Sequence, residues 1–116
     1  APMIYPRREV KAYGTQRQIE GLYNPGEHVV LLDDLVTSGA SKVTAMQPLL
    51  AEGLVVEDII VLIDRQQGGT EDLTRQGYRV HAALTLRELL ESLERQQLVS
   101  AEDASRVRAY MDAAQA

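Results

Sequence analysis

The chain has 116 residues, the length of one domain with a single core. Its 17 acidic residues outnumber 12 lysines and arginines, and the resulting net charge of −5 argues against a general nucleic-acid binder. The absence of cysteine excludes disulfides and thiolate chemistry and fits a cytoplasmic location, while no apolar stretch is long enough to cross a bilayer. Neither nucleic acid nor membrane is therefore an expected partner.

Four strands are predicted. Pro2–Tyr5 is short and stands first. His28–Asp34 and Asp58–Asp64 are apolar runs closed by acids. The unbroken Val29-Val30-Leu31-Leu32 stretch predicts burial on both faces of a parallel sheet. Between these runs, Ser41–Glu52 reads as a helix with Val43, Met46, Leu49 and Leu50 inward, ended by Gly53. Gly69–Gln76 reads as a short helix ended by Gly77, and Tyr78–Leu84 as the fourth strand.

Thr85-Leu86-Arg87-Glu88 has the form of a capping box, followed by Leu86, Leu89, Leu90 and Leu93 at helical spacing. Ser100-Ala101-Glu102-Asp103 starts another helix, with Val107 and Met111 inward. Both read as packing elements. The alternation of strand and helix predicts an α/β fold with a mostly parallel sheet and right-handed crossovers. No repeat, low-complexity tract or linker divides the chain, so residues 1–116 are expected to form one domain. His28 reads as a strand-edge residue, and His81 as a hydrogen-bonded structural one, isolated from other metal ligands.

Ligands of parallel α/β sheets bind beyond the carboxyl ends of the strands. Three such ends carry polar residues: Arg7-Arg8, Asp33-Asp34 and Asp64-Arg65. Adjacent carboxylates are costly to hold together unless positive or hydrogen-bonding groups meet them. The following Thr37-Ser38-Gly39-Ala40-Ser41 turn offers backbone N–H groups and hydroxyls to a phosphate at a helix start. Together they suggest a grip on a phosphorylated sugar. Arg7–Gly21 adds four cations, Arg7, Arg8, Lys11 and Arg17, in a segment with the composition of an exposed loop. It is a candidate lid able to bring positive charge to an anionic leaving group.

Val29–Ser41 resembles the thirteen-residue phosphoribosyl-pyrophosphate (PRPP) motif of type I phosphoribosyltransferases. Arg7-Arg8-Glu9-Val10-Lys11-Ala12-Tyr13-Gly14 is similar to the catalytic loop of orotate phosphoribosyltransferases. Arg8 here takes a place often held by Lys, and Tyr13 one held by His in many bacterial members. Asp64-Arg65-Gln66-Gln67-Gly68-Gly69 resembles the same family's base-binding segment. Thr15-Gln16-Arg17 and Gln66–Gly69 look most like the orotate domain of bifunctional uridine monophosphate synthases.

The resemblance implies a Rossmann-like phosphoribosyltransferase fold lacking its N-terminal hood and first core strand, and a chain that is the C-terminal portion of a longer protein. It implies transfer of a phosphoribosyl group from PRPP to orotate, a pentosyltransferase reaction of pyrimidine biosynthesis, with Mg²⁺ as cofactor. Asp33 and Asp34 would bind the ribose hydroxyls, and Thr37, Ser38, Gly39, Ala40 and Ser41 the 5′-phosphate. Arg65, with Thr37, would bind orotate, because a guanidinium fork matches a planar carboxylate. Lys11, Arg7 and Arg8 would neutralise the departing pyrophosphate. A homodimer is expected, with the basic loop acting across the interface. Mg²⁺ is expected on substrate oxygens and water, without a protein cage. Activity of the 116-residue chain alone is expected to be very weak or absent.

Two other classes fit parts of the pattern. A non-catalytic relative that binds PRPP or a nucleotide needs the motif but has less need of the loop cations or Arg65. A phosphoacceptor signalling domain also places acids after a buried strand, but it needs a further acceptor Asp and a Lys at later strand ends. Here those ends give Asp64-Arg65 and Thr85-Leu86-Arg87.

Overall fold

The computed structural model describes residues 3–6 and 19–115. Its centre is a parallel sheet of three strands, β3 (His28–Val36), β4 (Val55–Asp64) and β5 (Arg79–Thr85), in that spatial order. Helix α1 (Ala40–Ala51) joins β3 to β4, and α2 (Gly69–Arg75) joins β4 to β5. Successive right-handed crossovers in one direction place both helices on the same side. There Met46, Leu49 and Leu73 pack on Val36, Val56, Ile59 and Val61.

The predicted strands and helices form with small shifts of their ends, with two differences. The first strand is Tyr5–Pro6 (β1), and it pairs antiparallel with Ile19–Glu20 (β2) in a separate two-stranded sheet. It does not join the parallel sheet, so the three expected parallel strand ends become two. Proline lacks the N–H that a central parallel strand needs, which restricts Pro6 to such an edge pairing. β2 was not legible because Ile19 stands alone among polar residues, yet it is fully buried in the core.

The second difference concerns β3. Among the described residues it is an edge strand, and Val30 and Leu32 are 52% and 67% exposed rather than buried. Ile60 and Leu62 of β4 continue this open apolar face. The apolar run records what the strand can bury, whereas α1 and α2 cover only one of its sides. Leu50 is also exposed, and the buried residues of α1 are Met46 and Leu49 together with Lys42, which was not expected there.

α3 (Leu86–Arg95) and α4 (Ala101–Gln115) pack on each other through Leu90, Ala104 and Met111. The predicted caps form. The Glu88 N–H donates to Thr85 Oγ1 at 3.2 Å, and the Asp103 N–H to Ser100 Oγ at 3.1 Å. No helix among the described residues is long and apolar enough to cross a membrane.

Candidate active site at the carboxyl edge of the sheet

Asp33 and Asp34 lie in the last turns of β3, just before the Thr37–Ser41 turn. Side chains alternate along a strand, so the two acids face opposite sides of the sheet. Asp33 faces α1, where Lys42 Nζ meets its Oδ2 at 2.8 Å. Its Oδ1 accepts the Asp34 N–H at 2.8 Å. The hydrogen bond from Lys42 holds the Asp33 carboxyl below the usual carboxylate range, against the opposing effect of partial burial. Asp34 faces the open side, and among the described residues it pairs with no cation. Its Oδ1 accepts the Leu35 N–H at 2.7 Å.

The turn that follows ends in Gly39, whose φ of 80° lies in the left-handed region. It precedes α1 and caps it without a side-chain hydrogen bond. The first N–H groups of the helix therefore point outward with no capping oxygen. Among the described residues the hydroxyls of Thr37, Ser38 and Ser41 make no hydrogen bond. Donors without internal partners at a helix start are a physical prerequisite for an anion site.

Arg65 stands at the end of β4, beside this turn, because its N–H donates to the Val36 carbonyl at 3.0 Å. Its guanidinium meets no carboxylate among the described residues, so the Asp64–Arg65 salt bridge that sequence proximity permits does not form. Asp64 instead accepts the Gln66 N–H at 2.7 Å and the Thr70 hydroxyl at 2.8 Å. This bracing holds Gln66 at a φ of 59°, a conformation that non-glycine residues seldom adopt. The Gln66 side-chain carbonyl also accepts the Arg87 N–H at 3.2 Å, tying the loop to α3.

The two loops touch at Gly69. Its N–H donates to the Thr37 carbonyl at 3.0 Å, and a Cβ placed on it would lie 2.6 Å from that oxygen and 2.9 Å from Gly39 N. The structure thus brings Asp33, Asp34, residues 37–41 and Arg65 to one edge. Arg7, Arg8 and Lys11 lie outside the described residues. Sequence reasoning missed Lys42 and Thr70, and it named Asp64 and Gly69 without their bracing roles. Lys42 could have been found from its spacing, since positions 42, 46 and 49 form one helical face with Met46 and Leu49.

His81 is hydrogen-bonded as expected, its Nε2 lying 3.0 Å from Asp58 Oδ1, but the pair is remote from the acid pair in the register of the sheet. Among the described residues no group of three or more His, Asp or Glu side chains is arranged to hold a metal.

A parallel sheet with an acid pair, a phosphate-type turn and a braced second loop at its carboxyl edge defines a type I phosphoribosyltransferase core. The comparisons with known proteins agree. The chain is 43% identical over 110 residues to uridine 5′-monophosphate synthase of Bos taurus, covering 95% of this chain and 23% of that protein. A solved uridine monophosphate synthase from Leishmania donovani superposes with a TM-score of 0.86 at 38% identity, covering 96% of this chain and 24% of that one. A Mycobacterium tuberculosis orotate phosphoribosyltransferase solved with PRPP gives a TM-score of 0.65 at 27% identity, covering 76% of this chain and 49% of that one. No family model matches. The chain belongs to the orotate phosphoribosyltransferase family, and it spans between about a quarter and a half of the length of these relatives.

Proposed function

We propose that the protein carries the ribose-phosphate and base-carboxylate part of an orotate phosphoribosyltransferase, acting in the cytoplasm on PRPP and orotate. The observation that carries this reading is the junction of two loops. Among the described residues, an acid pair and a turn with free donors lie on one side of it, and an arginine without a carboxylate partner lies on the other. In the reaction the bond from the ribose anomeric carbon to pyrophosphate breaks, and a bond from that carbon to orotate N1 forms. Orotate N1 gives up its proton, and pyrophosphate leaves with the bonding electrons.

Asp33 and Asp34 accept hydrogen bonds from the ribose hydroxyls and place negative charge near a ring that becomes cationic. The Thr37–Ser41 turn anchors the 5′-phosphate, and Arg65 holds the orotate carboxylate so that N1 faces the sugar. Lys11, Arg7 and Arg8 stabilise the departing pyrophosphate, in a homodimer from the neighbouring subunit. When bound, Mg²⁺ would supply charge neutralisation for the departing pyrophosphate.

The test is to titrate PRPP with Mg²⁺ into the protein by calorimetry and to follow orotate consumption. Binding is expected, with turnover very weak or absent from these 116 residues alone. Any turnover excludes the non-catalytic alternative, and failure to bind PRPP sinks both.

A further inference from the structure

Lys42 is the third residue of α1 and only 5% exposed. A cation is doubly disfavoured there, because burial penalises the charge and a helix N-terminus is the positive end of the helix dipole. Its carboxylate partner in the structure is Asp33, at 2.8 Å through Oδ2. Since Oδ1 takes the Asp34 N–H at 2.8 Å, both oxygens of Asp33 are held. Each still has acceptor capacity for another donor. The carboxylate is thus fixed from behind, while its side chain remains 40% exposed.

Among the described residues the charged groups around Asp33 are Lys42 from α1 and Asp34 on its own strand, and β4 presents the apolar Val61 opposite. We propose that Lys42 is a positioning residue that fixes Asp33 as a preformed, ionised acceptor for a ribose hydroxyl and leaves Asp34, among the described residues, as the uncompensated charge of the pair. This deepens the reading of the site given above and rests on it. Without Lys42, Asp33 loses the cation that holds it ionised and keeps only the Asp34 N–H, so its carboxyl takes up a proton more readily or turns away.

The test replaces Lys42 by Met, in the wild-type and in an Asp33→Asn background. The Asp33 carboxyl is titrated by carbon NMR, and PRPP binding with Mg²⁺ is measured by calorimetry. In Lys42→Met the Asp33 carboxyl is expected to protonate at a clearly higher pH than in the wild type. PRPP affinity should fall about tenfold in the wild-type background and less than about twofold in the Asp33→Asn background. An unchanged Asp33 titration, or equal losses in both backgrounds, overturns the proposal, since a merely structural lysine would cost the same in each. Should Lys42→Met fail to fold by circular dichroism, Lys42→Gln is carried through the same measurements. A wild type that does not bind PRPP ends the reading of the site, and the Asp33 titration still decides whether Lys42 holds that carboxylate.

Discussion

The N–H of Gly69 donates to the carbonyl of Thr37 at 3.0 Å, joining the first turn of α2 to the turn before α1. Through this bond the segment that carries Arg65 and the segment offered to phosphate become one rigid edge. A side chain at Gly69 would meet three neighbours at 2.6–2.9 Å, among them the backbone atoms Thr37 O and Gly39 N.

Gly69→Ala therefore forces the loops apart. Overpacking of this kind costs about 1–3 kcal/mol, and the backbone contacts place this variant toward the upper end. Urea unfolding should show the loss, and PRPP affinity should fall with it. A variant with wild-type stability and affinity would show that the two turns do not need their close contact.

Arg65→Gln removes the fork expected to hold the orotate carboxylate and leaves the acid pair and the phosphate turn in place. Loss of a charge-assisted pair of about 1.5–3 kcal/mol corresponds to a rise of roughly 10- to 100-fold in KM for orotate. PRPP affinity should stay within about twofold. Steady-state kinetics with each substrate varied separates these effects, and an equal loss for both substrates would assign Arg65 a structural role.

Asp58 offers a pH-dependent prediction away from the site. Arg79 first, then His81, holds its carboxyl well below the ordinary value of 3.8, through contacts at 2.8–3.0 Å. A depressed folded-state pKa contributes stability that is present above the unfolded value and lost as the pH falls toward the folded one. Asp58→Asn should thus be less stable than the wild type at about pH 7, and the gap should close below about pH 4. Urea midpoints measured across this range check it. A gap independent of pH would mean that the charge of Asp58 is not what stabilises the sheet there.

Two stability variants calibrate the packing. Met46 is fully buried between α1 and the sheet, and Met46→Ala should cost about 2–5 kcal/mol. Thr85→Ala removes one capping acceptor from α3 and should cost about 1 kcal/mol. Chemical denaturation of both should keep this order.

The residues proposed to do chemistry were more legible than those that hold them. Asp33-Asp34, the Thr37–Ser41 turn and Arg65 stand out because acid pairs, glycine turns and strand-end arginines are rare combinations in one short stretch. The helix starts at Thr85 and Ser100 were equally plain, since their signal is local. Lys42 was hidden because a lysine on a helix reads as surface until its partner across the loop is known. Ile19 was hidden because its burial depends on β1, thirteen positions before it at Pro6. The exposure of Val30 and Leu32 shows a further limit, for a run of side chains records apolar capacity but not which faces receive a cover.

α3 and α4 begin with a hydroxyl that satisfies a backbone N–H of their first turn, whereas α1 begins at Gly39, which has no side chain to offer. The helix that faces the candidate site is built with its own stopper left out. A phosphate settling on Thr37–Ser41 would complete α1 in the way Thr85 completes α3, so substrate and helix would finish each other. Occupancy would then be written into the slowed hydrogen exchange of the amides at Ala40 and Ser41, a signature visible before any bond of the substrate is broken.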